Sequence, residues 1–241
     1  LPEFGAPGWR AVHGEFFWQA GCDRVVENAV DISHTPFVHR NSFGNRDHPA
    51  IDEYEVVEQE FGFTATVTLL PPPPKGLWGL LRRKREPVRA TVGIHMPTVT
   101  TLSLDLGRWK TVLLDANLPV DENTTQTYFV MLRNFFLGSW ADNNAIERAL
   151  AIFCEDQPIV EAQVPMQVPT DMGAELHVKS DAMAVTFRKY RRRYMERGWR
   201  IDIAKQRSEA SERLYTLPSP SRRDPALEGA WVMPPVPVRE T

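Results

Sequence analysis

Cysteine is scarce: Cys22 and Cys154 are the only two in 241 residues. That number cannot build the disulfide framework of a small secreted domain. Long apolar runs are also missing, and no stretch approaches the roughly 20 residues of a membrane-spanning helix. No amino-terminal segment reads as a secretion signal. A net charge of -3 gives no electrostatic reason to expect nucleic acid. Internal repeats, a Gly-rich phosphate loop and a serine-hydrolase elbow are absent from the sequence as well. A cytoplasmic enzyme is the expectation these absences leave. The chain is 42% hydrophobic and 10% aromatic, enough to bury the core of one domain.

The most informative segment runs Glu27-Asn28-Ala29-Val30-Asp31-Ile32-Ser33-His34-Thr35-Pro36-Phe37-Val38-His39. Two imidazoles five residues apart can share a metal, and a carboxylate from the distant stretch Glu155-Asp156-Gln157-Pro158-Ile159-Val160-Glu161 could complete the set. Two His and one acid on one face of an octahedron suit Fe(II) and leave positions for oxygen and water. Asp31 and His34 are three apart, so on a helix the acid could fix the imidazole tautomer. His39 cannot join His34 from an unbroken helix, because five residues at about 100° put it roughly 140° around the axis. Pro36 lacks an amide donor and its ring clashes with the preceding turn. The spacing therefore predicts two short helical pieces, with the histidines converging across a bend at Pro36. His13, His48, His95 and His177 stand in no such context and are read as ordinary side chains.

The run E-N-A-V-D-I-S-H-T-P-F-V-H resembles the iron motif of Rieske non-haem iron oxygenases, in the catalytic domain of their large subunit. The segment I-F-C-E-D-Q-P-I-V-E-A-Q is most similar to the vanillate demethylase branch of monooxygenases. Looser matches extend to Leu1-Pro2-Glu3-Phe4, Trp9 and Ser180-Asp181. The resemblance implies His34, His39 and Asp156 as ligands of a mononuclear Fe(II), with Glu155 and Glu161 as neighbouring acids. It implies that Asp31 is the bridging acid that relays electrons from a Rieske [2Fe-2S] cluster in a neighbouring subunit. It further implies a terminal oxygenase that hydroxylates or O-demethylates a small aromatic or apolar substrate. Electrons would come from NAD(P)H through a reductase or ferredoxin, and the assembly would be a homotrimer. Two cysteines without paired Cys-x-His and Cys-x-x-His segments cannot hold the cluster itself. A catalytic domain cut from a longer polypeptide, with the Rieske domain amino-terminal to it, is the expectation.

Strands are expected from about 51 to 69, with Phe61, Phe63, Ala65, Val67 and Leu69 alternating after a Glu60-Phe61-Gly62 turn. Further strands are expected at about 88–96, 98–106, 110–118 and 124–136, making an antiparallel meander. Residues 41–50 read as a loop. The proline-rich, then basic, stretch 71–87 reads as an excursion from the sheet that could also act as a lid. From Trp140 to Gln163 the spacing turns helical: Ile146, Leu150, Phe153 and Val160 face inward, Asp142, Glu147 and Arg148 face water, and Pro158 interrupts. A last helix is expected from Ser180-Asp181 to Gly198, with Arg188-Lys189-Tyr190-Arg191-Arg192-Arg193 as a solvated face.

The fold class is α+β, an antiparallel sheet with packed helices, and the resemblance implies a helix-grip (START-like) architecture. The catalytic domain would span 1–217, followed by a proline-rich extended tail at 218–241. Leu102, Met131 and Phe135 are candidates for pocket wall as well as for plain core. A non-catalytic carrier of hydrophobic ligands and a zinc hydrolase using the same donors are the rival readings.

Overall fold

In the computed structural model, residues 1–40, 42–72 and 87–199 are described. The alternating runs become strands β1 (Arg10–Trp18), β2 (Val56–Gln59), β3 (Gly62–Leu69), β4 (Val88–His95), β5 (Val99–Leu106), β6 (Trp109–Pro119) and β7 (Thr125–Arg133). They form one antiparallel seven-stranded sheet in the order β1-β7-β6-β5-β4-β3-β2. Strands β2 to β7 are the expected meander, with the first hairpin turning between Gln59 and Gly62. Among the described residues four α-helices accompany them: α1 (Cys22–Val30), α2 (Thr35–Val38), α3 (Asp142–Val160) and α4 (Ala182–Glu196).

Strand β1 was not among the expected elements. Gly14 interrupts its pattern, and Phe16-Phe17 puts two aromatics on opposite faces, so no clean period of two is visible. Its place is set by a partner more than a hundred residues away, since Gly14 sits opposite Phe129 on β7. A Cβ at Gly14 would lie 2.5 Å from the Phe129 ring, so the glycine lets that ring cross the strand.

One face of the sheet carries the core. Phe63, Ala65, Val67, Ala90, Val92 and Ile94 pack against Val26 and Val30 of α1 and Met183, Phe187, Tyr190 and Tyr194 of α4. Towards β1, Trp18 and Phe129 pack on Phe153 of α3, with ring centroids 5.8 and 5.5 Å apart. Met131 belongs to this second cluster and Phe135 stacks beside Trp109.

Three expectations are corrected here. Arg188 is not on a solvated face: it is buried, and its guanidinium donates to Glu27 and Glu175. Lys189, Arg192 and Arg193 do face solvent. Asp142 does not face water freely but accepts from Arg10 at 2.6 Å and Arg133 at 2.7 Å, tying the start of α3 to β1 and β7. Pro158 does not interrupt α3, which runs on through it to Val160 with a single amide donor lost. The expected boundary at 217, the tail and nearly all of the 71–87 excursion fall outside the described residues. Among the described residues no helix is long and apolar enough to cross a membrane.

Arg24 and Arg188 straddle Glu27 and Glu175, joining α1, α4 and the segment before α4. Hydrogen bonding by Arg24 holds the Glu175 carboxyl down to about 2 from its ordinary 4.5, with Arg188 adding to the effect against a burial penalty. A depressed carboxyl stabilises the fold above its unfolded value and loses that contribution as pH falls through the folded one. Melting temperature should therefore drop between about pH 4.5 and 2, and Glu175→Gln should flatten that part of the acid titration. Glu27→Ala leaves two buried guanidinium groups underpaired and should cost about 3–5 kcal/mol, measured by urea unfolding.

Candidate metal centre

Helix α1 ends at Val30, and Asp31 beyond it is extended, with its carboxylate accepting from the Ser33 amide at 2.7 Å. The chain break therefore lies at Asp31–His34 rather than at Pro36. Pro36 instead sits near the start of α2, where its missing N–H costs nothing and its fixed φ favours helix. His34 caps the beginning of this single turn and His39 its end. The two rings thus converge around one four-residue helix, not across a kink between two.

The geometry that results is tight. His34 Nε2 and His39 Nε2 are 3.2 Å apart. Asp156 Oδ1, from α3, lies 3.3 Å from the first and 3.2 Å from the second. Donor atoms sharing one ion at about 2.1 Å are separated by roughly 3.0–3.4 Å, in octahedral or tetrahedral geometry. The triangle matches that spacing. Asp156 is 5% exposed and its Oδ1 has no well-directed hydrogen bond, although two ring nitrogens face it. A buried acceptor aimed at two imidazole nitrogens, one of which must lack a hydrogen, is a donor set that a divalent cation satisfies. Among the described residues these three form the cluster with metal-ligating geometry.

Electrostatics agree. Burial favours the neutral acid at Asp156, but the two imidazoles outweigh it and keep the carboxyl below its ordinary value. Burial likewise opposes charge on His34, yet Asp156 and Asp31 lift it to about 9 in the absence of a cation. Asp31 Oδ2 stands 3.6 Å from His34 Nδ1, an ion-pair distance just beyond a hydrogen bond. The two do not share a helix face as expected; they meet across the extended residues after α1.

Glu155, named only as a neighbouring acid, has a distinct place. Its Oε2 lies 2.9 Å from His39 Nδ1 and accepts from Ser42 Oγ at 2.8 Å, so it orients the ring from behind. Glu161 is elsewhere, accepting from the Gln19 amide and Gln157. Gly44, in the stretch read as a loop, gives its amide to the His39 carbonyl at 2.7 Å. A Cβ there would sit 2.3 Å from the Thr35 carbonyl oxygen, so only glycine lets the loop close on α2. Phe43 stacks on the His39 ring at 4.6 Å.

A pocket opens beside this cluster, with about 820 Å³ of space counted out to its mouth. That figure includes space open to solvent. Leu102 lines it, with Val92, Leu104, Leu113 and Phe153, whereas Met131 and Phe135 do not. Asp115 also lines it and was not foreseen, because an isolated acid in a strand carries no motif.

Residues 18–197 match the family model described as "Vanillate O-demethylase oxygenase C-terminal domain". The chain belongs to this family. The expected kinship with the catalytic domain of Rieske oxygenases is thereby borne out. Among curated proteins it is 26% identical to methylxanthine N1-demethylase NdmA of Pseudomonas putida over 81% of this chain and 54% of that protein. It is also 26% identical to the N3-demethylase NdmB of the same species, over 79% and 52%. The chain thus spans about half the length of these curated relatives. Among solved structures, NdmA with caffeine superposes with a TM-score of 0.66 at 22% identity, covering 87% of this chain and 60% of that one. Dicamba monooxygenase bound to dicamba gives a TM-score of 0.64 at 16% identity, covering 81% and 62%. At such identities the superpositions establish the fold.

Glu155→Ala should leave His39 free to turn and weaken Fe(II) affinity by about 10–100-fold, with the fold intact by circular dichroism. Glu155→Gln, whose side-chain oxygen can still accept, should lie between it and wild type in anaerobic calorimetry.

Proposed function

We propose that this chain is the catalytic domain of a terminal oxygenase that hydroxylates or demethylates a small, largely apolar substrate. The observation that carries this reading is the triangle of His34, His39 and Asp156 beside an apolar pocket, in a chain of this family. Fe(II), when bound there, would supply oxygen activation. What the protein contributes is placement: α2 aims both imidazoles, Glu155 bonds the outer nitrogen of His39, Asp31 stands at ion-pair distance from that of His34, and α3 brings the carboxylate.

Oxidation of a methyl carbon attached to oxygen or nitrogen adds a hydroxyl there and converts the second oxygen atom of O2 to water at the expense of two electrons and two protons. The resulting hemiacetal or carbinolamine then splits, leaving formaldehyde and the demethylated product. The pocket wall of Val92, Leu102, Leu104 and Leu113 would put apolar side chains around the reacting carbon.

Asp31, in this reading, is the bridging acid through which an electron enters from a Rieske [2Fe-2S] domain of a neighbouring subunit. That cluster is held outside the catalytic domain and reduced by a ferredoxin or a reductase using NAD(P)H. Neither cysteine here suits a cluster: Cys22 donates to the Asn117 carbonyl with its thiol pushed by burial up to about 12, and Cys154 stands apart on α3. A homotrimer, a cytoplasmic setting and a helix-grip sheet with domain limits at 1–217 and 218–241 belong to the same proposal. The carrier reading leaves the crowded, buried donor triangle unexplained, and the family argues against a hydrolase.

His39→Ala should lose Fe(II) and turnover together, as measured by iron analysis after anaerobic purification and by formaldehyde release with the full-length enzyme. Asp31→Asn should keep most of the iron yet fail to turn over. Full iron occupancy in His39→Ala, or zinc with hydrolytic turnover, rejects the assignment.

A further inference from the structure

The covered face of the central strands carries a row of polar side chains that the core does not need. On β6, Leu113, Asp115 and Asn117 point the same way, since side chains two apart share a face. Asn117 is fully engaged: it donates to the Thr98 carbonyl at 2.9 Å and accepts from Thr127 at 2.6 Å, whose hydroxyl in turn accepts from the Trp18 indole at 2.9 Å. Asp115 is only half engaged. Its cross-strand neighbours are Thr100 on β5 and Phe129 on β7. Thr100 reaches only Oδ2, at 3.5 Å, and Oδ1 is buried without a partner.

Aspartate is a poor strand former, and a buried carboxyl oxygen with no hydrogen bond is costly. Rules of this kind are broken mainly at functional sites. Asp115 lines the same pocket as Asp156, and a turn of its carboxyl would bring the buried, unpartnered oxygen to a group that enters. The lining holds three carboxylates, Asp31, Asp115 and Asp156, and no Lys or Arg among the described residues. At Asp115, away from the imidazoles of His34 and His39, such a wall offers an acceptor to a donor and nothing to pair with a carboxylate. Burial, with the nearby charge of Asp156 and against the Thr100 hydrogen bond, pushes the Asp115 carboxyl up to about 7, consistent with a group that awaits a partner.

We propose that Asp115 is the polar anchor of the pocket, bonding an N–H or O–H of the substrate. The preferred class is then neutral methylated compounds with a free donor, and not carboxylate-bearing aromatics. This rests on the oxygenase reading for the chemistry but not for the binding.

The test uses matched probes on the whole chain by calorimetry at neutral pH: 4-methoxyphenol against 1,4-dimethoxybenzene and 4-methoxybenzoate, and theophylline, with a free ring N–H, against caffeine, in which that nitrogen is methylated. The donor-bearing member of at least one pair should bind about tenfold or more tighter than its capped partner, and 4-methoxybenzoate should bind more weakly than 4-methoxyphenol. Asp115→Val should abolish the preference, and Asp115→Asn, which keeps an acceptor of the same shape, should retain part of it. The ligand-free Asp115→Val chain should melt no lower than wild type, because an orphaned polar group has been removed.

Equal affinities within both pairs, no binding of either donor-bearing probe at millimolar concentration, tighter binding of the benzoate, or a fall of several degrees in melting temperature for Asp115→Val would each overturn the proposal. Fe(II) titration of the same samples separates the two readings. Wild type that binds iron but does not discriminate loses the anchor and keeps the oxygenase; discrimination without iron binding does the reverse.

Discussion

A single carboxylate oxygen facing two imidazoles is the constraint around which the chain is arranged. Asp156 is 5% exposed, and a charge at that depth needs compensation that water cannot give. Its partners come from a segment more than a hundred residues earlier, so the site exists only when α3 lies across the sheet beside α1 and α2. Phe153, one turn before Asp156, packs against Trp18 and Phe129 and fixes how deep α3 sits. Asp142, at the other end of the helix, is clamped by Arg10 and Arg133 and fixes its azimuth. The Asp156 carboxylate is therefore positioned by an aromatic contact and an ion pair that do not touch the site.

Helix α1 shows the same division of labour. Its Val26 and Val30 face the core, and Arg24 and Glu27 join Arg188 and Glu175. The helix must end at Val30 for Asp31 and His34 to turn back towards Asp156, and the Asp31 carboxylate secures that turn by accepting from Ser33. Local chemistry and tertiary packing agree at this point, as expected of a chain that specifies one structure.

What sequence could disclose tracks the range of each interaction. Strands β3 to β7 were readable because alternation is local and their partners adjoin them in the chain. The histidine pair was readable because its spacing and the surrounding motif are local too. Strand β1 was not, since its pairing with β7 and the glycine that admits Phe129 belong to distant contacts. Arg188 and Asp142 were misassigned for the same reason: a charged residue in a helix looks solvated until its buried partner is known. The bend was placed at Pro36 because proline usually marks a break, yet a proline near a helix start begins one. Glu155 and Asp156 adjoin in sequence but are placed differently, and only the direction of each side chain decides which imidazole nitrogens it faces.

The charges then fall into two groups with different physical purposes. Glu27, Glu175 and Asp142 are each held by two guanidinium groups, and they fasten helices to one another and to the sheet. Asp31, Asp115 and Asp156 line the pocket, whose described walls hold no Lys or Arg. Had a cation of the chain reached them, it would have satisfied them and closed the site to any ligand. Keeping arginine at the periphery of α1 and α3 while leaving the pocket acids to imidazole, threonine or nothing costs stability locally. In the proposed function it also reserves their bonding capacity, two of them for a metal and its electron path and one for an incoming molecule. The partition follows from which side of each helix meets the sheet, so the fold itself separates structural from functional charge.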